Sequence, residues 1–209
     1  MAREIDELNV PMLYSRSEPF EQYFGDMDLT DEEKKKRIEV AEDLDDLMLF
    51  IFALIAIMRE SNAVDKNYIA IQINNRYMAI LQDYMGIDKY LEDYIRQFSN
   101  TFIQTTFDSI DDSWYLSADR SRFIAENESE TTWNYDEYRQ AIESGKTRKQ
   151  WVDIMDKRER KTHREVGGTV IPIEDVFVVG DSLMRYPKDS LYGAEAKEII
   201  NCRCTIKYF

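Results

Sequence analysis

Histidine and cysteine are almost missing from this chain of 209 residues, which has one His and two Cys. Cys202 and Cys204 stand a single residue apart, too close in sequence to bridge easily to each other, so a disulfide scaffold is not expected. The opening M-A-R-E-I-D-E-L lacks the apolar core of a signal peptide, and synthesis and function in a reducing cytoplasm is the expectation. Long apolar runs are lacking too. Leu47 to Met58 is twelve apolar residues, closed by Asp45-Asp46 and Arg59-Glu60, whereas a bilayer span needs about 20, so no membrane partner is expected. Phosphate-binding glycine loops are absent, because Gly167-Gly168 has neither the G-x-G-x-x-G nor the G-K-[ST] context. No classical DNA-reading motif, internal repeat or low-complexity tract is present.

What is there points to a folded chain of one or two domains. The apolar fraction is 44%, and Phe and Tyr together number 23, which is ample for a hydrophobic core. Residues 151–209 carry ten basic and ten acidic side chains, so the whole net charge of −14 belongs to residues 1–150. An acidic body of this kind disfavours broad binding to nucleic acid. From Lys146 to Arg164, however, eight basic residues face three acidic ones. That local patch is either a solvated face or a weak phosphate contact through Arg148, Lys149 and Arg160.

Read in order, residues 1–29, with Pro11 and Pro19, form an N-terminal arm. Thr30-Asp31-Glu32-Glu33 has the form of a capping box and opens a long helix to about Arg59, apolar all round in its middle and therefore expected to be buried on all sides. Ile69, Ile73, Tyr77, Ile80 and Tyr84 make one stripe before Gly86, and Asp88 caps a helix with Leu91, Ile95, Phe98 and Phe102 on its inner face. These helices predict a bundle over 30–111, ending at the polar break Asp111-Asp112-Ser113. Residues 112–148 are a helical lead-in, with Ser117 capping one helix and a second running from Asp136 to Glu143. Residues 149–209 read as a small α+β core: a strand from Lys149, a helix from Lys157 to Val166, strands Val170–Ile173 and Val176–Val179, a helix Ala194–Ile200 and a last strand Cys202–Tyr208. The fold class expected is α+β, an elongated helical part followed by a small α+β domain.

The last quarter holds the scarce residues: His163, Cys202, Cys204, two of four prolines and four of seven glycines. Imidazole and thiolate are the usual zinc ligands, and Asp156 or water could be the fourth. The other reading is a core histidine beside two buried thiols, since alternate strand positions 202 and 204 both point inward. Cys–His nucleophilic catalysis lacks a visible third group. Asp156, Arg158 and Arg160 directly follow a strand, where an ion-pair network would fix the turn into a helix. Asn201 can bond neighbouring backbone before the final strand.

Trp151, Asp156, Arg158, Arg160, His163, Gly168, Phe177, Tyr186-Pro187, Asp189 and Asn201-Cys202-Arg203-Cys204, preceded by Ile124-Ala125, Glu128 and Asn134, follow one another in an order that resembles the phage head morphogenesis (Mu F-like) minor capsid family. The resemblance covers roughly 118–209. It departs at Glu126-Asn127, where many relatives carry Arg-Thr. It implies a minor structural or assembly protein of a phage head, acting in capsid morphogenesis and DNA packaging through portal and capsid proteins. It places the protein in the host bacterial cytoplasm during assembly and then in the virion head. The alternative is an intrinsic nuclease or transferase-like activity of the motif domain.

Overall fold

A computed structural model describes residues 17–209. Most of the arm expected at residues 1–29 lies outside them. The rest begins with α1 (Ser17–Gly25), whose Phe20 and Phe24 are fully buried, with Met27 of the following turn, against the next helix.

That helix, α2 (Asp31–Glu60), starts where its chemistry says it should. The Thr30 hydroxyl accepts from the Glu33 N–H, while the Glu33 carboxylate accepts from the Thr30 N–H at 2.7 Å, a complete capping box. α1, α3 (Lys66–Tyr84) and α5 (Ala118–Glu143) pack against α2. Burial is not complete all round: Ile57 is exposed and Leu49, Phe50 and Ala53 are only partly covered. At the C-terminal end of α2, Arg59 donates to the Ile110 carbonyl and pairs with Asp111. Asp88 caps α4 (Lys89–Asp108) by accepting from the Leu91 N–H at 2.9 Å, and a short 3₁₀ turn, Ser113–Leu116, leads into α5.

Two helices are expected between 117 and 145, but one is found. α5 runs unbroken over 26 residues from its Ser117 cap. No proline or glycine interrupts it, and the polar Ser129, Glu130, Asn134 and Asp136 along it are buried.

After α5 the chain changes period. β1 (Arg148–Val152) is the centre of an antiparallel three-stranded sheet, flanked by β2 (Val170–Pro172) and β5 (Thr205–Tyr208). Between β1 and β2 lies α6 (Lys161–Val166), shorter than the helix expected from Lys157. A hairpin, β3 (Phe177–Val179) with β4 (Ser182–Met184), turns at Gly180, whose φ of +59° suits a two-residue turn. Strand β4 is absent from the expectations. α7 (Ala196–Ile199) precedes the last strand, which begins at Thr205 rather than Cys202. The α+β class is as expected. Among the described residues no helix is long and apolar enough to cross a membrane.

Two apolar clusters result. The larger runs through the helices and takes in Ile173 and Tyr186 from the C-terminal region. The smaller gathers Trp151, Val166, Phe177, Val179, Met184, Cys202 and Cys204.

Candidate metal centre

α6 is a single short helix, and it aims His163 inward, where the imidazole meets Trp151 of β1 edge-on at 5.8 Å between ring centres. Nδ1 lies 3.4 Å from the Sγ of Cys202 and 3.4 Å from the Sγ of Cys204. The other ring nitrogen, Nε2, is 3.1 Å from the Glu198 carboxylate, which also accepts from the Thr162 hydroxyl at 2.8 Å. All four groups are at most 3% exposed. Gly180 makes the close approach possible: a Cβ there would sit 3.0 Å from the Thr162 methyl and 3.1 Å from Glu198.

The two cysteines are free and buried. They point inward as expected, but from the loop before β5 and not from the strand. Burial opposes charge on Cys202, yet hydrogen bonds from Cys204 and His163 outweigh it and hold that thiol well below its usual range. The hydrogen bond to Cys202, with burial, pushes Cys204 up. Burial likewise opposes a charged His163, and the bond to Cys202 overcomes it, raising the imidazole. Glu198 is the orienting third group that the sequence does not reveal.

Asp156 is not part of it: the group that could share a metal is His163, Cys202 and Cys204 among the described residues. The Asp156 carboxylate pairs instead with Arg203 and accepts from the Arg158 N–H at 2.8 Å, which fixes the turn before α6. Arg160 donates to the Ile200 carbonyl. With Arg158 and Arg203 it lines a cleft of about 420 Å³ that also holds Tyr23, Glu126 and Asn201. Arg148 is exposed, but Lys149 is fully buried. Its Nζ lies 5.0 Å over Tyr138 and 5.4 Å over Phe177, and burial, aided by Arg185, brings its pKa down to about 8. Successive strand residues face opposite ways, so Lys149 shares the inner face with Trp151. In this fold Lys149 is not available to phosphate.

The remaining motif residues tie the two regions together. Glu128 of α5 accepts from Tyr77 of α3 at 3.0 Å and Tyr94 of α4 at 2.8 Å. Asn134 donates to the Pro187 carbonyl at 3.0 Å, docking the Tyr186–Asp189 turn on α5. In that turn Asp189 accepts from the Arg185 guanidinium at 2.7 Å and from the Leu191 N–H at 3.1 Å, while Tyr186 is buried against Tyr138. Lys188, fully buried, donates to Asn127 at 2.7 Å and to the Tyr23 hydroxyl at 3.2 Å; Tyr23 in turn donates to the Cys202 carbonyl at 3.2 Å. The Asn127 side chain also accepts from the Asn201 N–H at 2.9 Å. Asn201 adopts φ +55°, a conformation that Asn tolerates, and it turns the chain so that Cys202 faces His163. Gly168, at φ +75°, donates to the Trp151 carbonyl at 2.9 Å.

Glu126, which stands where many relatives of the resemblance have arginine, is raised to about 7 by burial, against the pull of Arg122 and Lys188. A carboxyl raised above its ordinary value favours the native state while it is protonated. That contribution is complete below about pH 4.5 and is lost as pH rises through 7. Glu126→Gln is therefore expected to leave stability at pH 4 nearly unchanged and to raise it at pH 8 by on the order of 1–2 kcal/mol, allowing for the solvent that reaches the group. Urea unfolding of both proteins at the two pH values checks this. A difference that does not grow with pH would contradict it.

The geometry thus defines a helical body joined through a buried polar network to a small motif-bearing α+β domain. Residues 87–207 match the family described as Phage Mu protein F like protein, and the chain belongs to that family, whose role is phage head morphogenesis. The NAD(+)--arginine ADP-ribosyltransferase EFV of Enterococcus faecalis is 33% identical over 69 residues, which is 32% of this chain and 14% of that protein. The chain thus spans about one seventh of the length of this curated relative. No solved structure matches.

Proposed function

We propose that this protein is a minor structural or assembly component of a bacteriophage head, acting in capsid morphogenesis and DNA packaging through contacts with portal and capsid proteins. The family match over residues 87–207 carries this reading. The matched span includes Asn134 and the Tyr186–Asp189 turn, which dock on each other, and Glu128, which joins α5 to α3 and α4. An acidic helical body suits protein partners better than DNA. Exposed apolar side chains offer contact points: Ile57, Tyr68 and Ile71 on α2 and α3, and Val178 and Leu183 on the outer face of the hairpin. Contact with packaged DNA is weak and falls to Arg148 and Arg160. The protein acts in the host cytoplasm during assembly and resides in the virion head.

The test is co-expression with the portal and with the major capsid protein of the phage that encodes the chain, followed by size-exclusion chromatography. Co-elution with at least one is the expected result, and separate elution from both at low and moderate salt overturns the reading.

A transferase-like activity is the second reading, and it rests on the Enterococcus faecalis relative. NAD consumption by the purified protein, in the presence of arginine-containing acceptors, would favour it over the structural role.

A further inference from the structure

We propose that His163, Cys202 and Cys204 bind a zinc ion, with Glu198 as the positioning residue behind the histidine. The donor set is two thiolates and an imidazole, the combination that suits zinc. The distances fit as well. Zinc holds sulfur at about 2.3 Å and nitrogen at about 2.0–2.1 Å, so at tetrahedral angles the two donors lie about 3.5 Å apart. Nδ1 is 3.4 Å from each Sγ, and the three donor atoms lie within 4.8 Å of one another. A metal would occupy the space between them with little rearrangement.

What surrounds the donors is the second observation. Metal-bound imidazoles usually give their other N–H to a carboxylate, which fixes the tautomer and turns the bare nitrogen to the metal. Here Nε2 is held by buried Glu198, itself held by Thr162, and this leaves Nδ1 facing both sulfurs. The cysteine loop is braced from outside by Tyr23, Asn127 and Lys188. Elements far apart in sequence thus converge on this loop: α1, α5, α6 and α7. Among the described residues no fourth His, Cys or carboxylate joins the cluster. Zinc here would cross-link the ends of a domain whose own apolar cluster is small.

The experiment uses the full chain, produced with zinc in the medium and purified without chelator. Elemental analysis should find stoichiometric zinc, and Cys202→Ser/Cys204→Ser should lose it. Because that variant could fail to fold, Glu198→Gln is measured in parallel: it keeps every ligand, and it should weaken zinc affinity 10- to 100-fold in competition with a chromogenic chelator. Cobalt(II) added to the metal-free protein should give the thiolate-to-metal charge-transfer absorption of tetrahedral sulfur ligation. Wild-type protein that carries no zinc above background, has both thiols reduced and gives no such absorption with cobalt overturns the proposal. Zinc binding that Glu198→Gln leaves unchanged overturns the role given to Glu198. None of these readouts depends on particle assembly, so the site and the proposed function stand or fall separately.

Discussion

Replacing Arg37 by Met is expected to cost about 3–5 kcal/mol of folding stability, the range found when one partner of a buried ion pair is removed. Arg37 is fully buried inside α2, and its guanidinium donates to Glu130 at 3.0 Å and Glu137 at 2.7 Å, both on α5. Its carbonyl accepts from the Ser129 hydroxyl at 2.7 Å. Coulomb attraction across this pair is offset by the cost of taking the charges out of water, so the net worth of the intact pair is small. The loss comes from what stays behind: Glu130, fully buried, whose carboxyl burial already raises despite Arg37. The discriminating control is the double replacement Arg37→Met/Glu130→Met, which removes both charges and should be markedly more stable than Arg37→Met alone. Urea unfolding by circular dichroism measures both. A single-variant loss under about 1 kcal/mol would mean that water reaches the pair and that α2 and α5 are not locked as described.

Trp151→Ala should cost a similar amount, about 3–5 kcal/mol, by leaving a cavity in the smaller apolar cluster. The indole is completely buried and meets Phe177 edge-on at 5.3 Å and His163 at 5.8 Å. Its backbone also closes the sheet end, donating to Thr169 and accepting from Gly168. Trp151→Phe keeps a ring in the same place and should lose well under half as much. If the two variants were equally damaging, the loss would lie in some feature of the indole other than its volume, and the packing argument would fail.

Much of the helical part was legible because its signals are local. A capping box at Thr30, carboxylate or hydroxyl caps at Asp88 and Ser117, and stripes of period 3.6 are written within a few residues of where they act. Several of the differences come from burial decided by distant elements. α5 is one helix and not the two expected, and its buried Glu130, Asn134 and Asp136 find partners on α2, in the Tyr186–Asp189 turn and along α5 itself. Glu198 could not be picked out as the partner of His163 among 41 carboxylates, since 35 residues separate the two. Lys149 is different. Its inward direction was available from the two-residue period it shares with Trp151, and the positive charge obscured it. Of the motif residues, His163, Cys202 and Cys204 do come together in space, whereas Asp156 serves the turn beside them. The bracing role of Asn127, at a position where this chain departs from many relatives of the resemblance, emerged only from the fold.

The most direct test of the account is quantitative mass spectrometry of gradient-purified particles from the phage or prophage that encodes this chain, taken at both the prohead and the mature stage. The account predicts peptides of this protein in the particles, at a copy number far below that of the major capsid protein. Its absence from both stages, with the protein abundant in the infected cell, would contradict a place in the head.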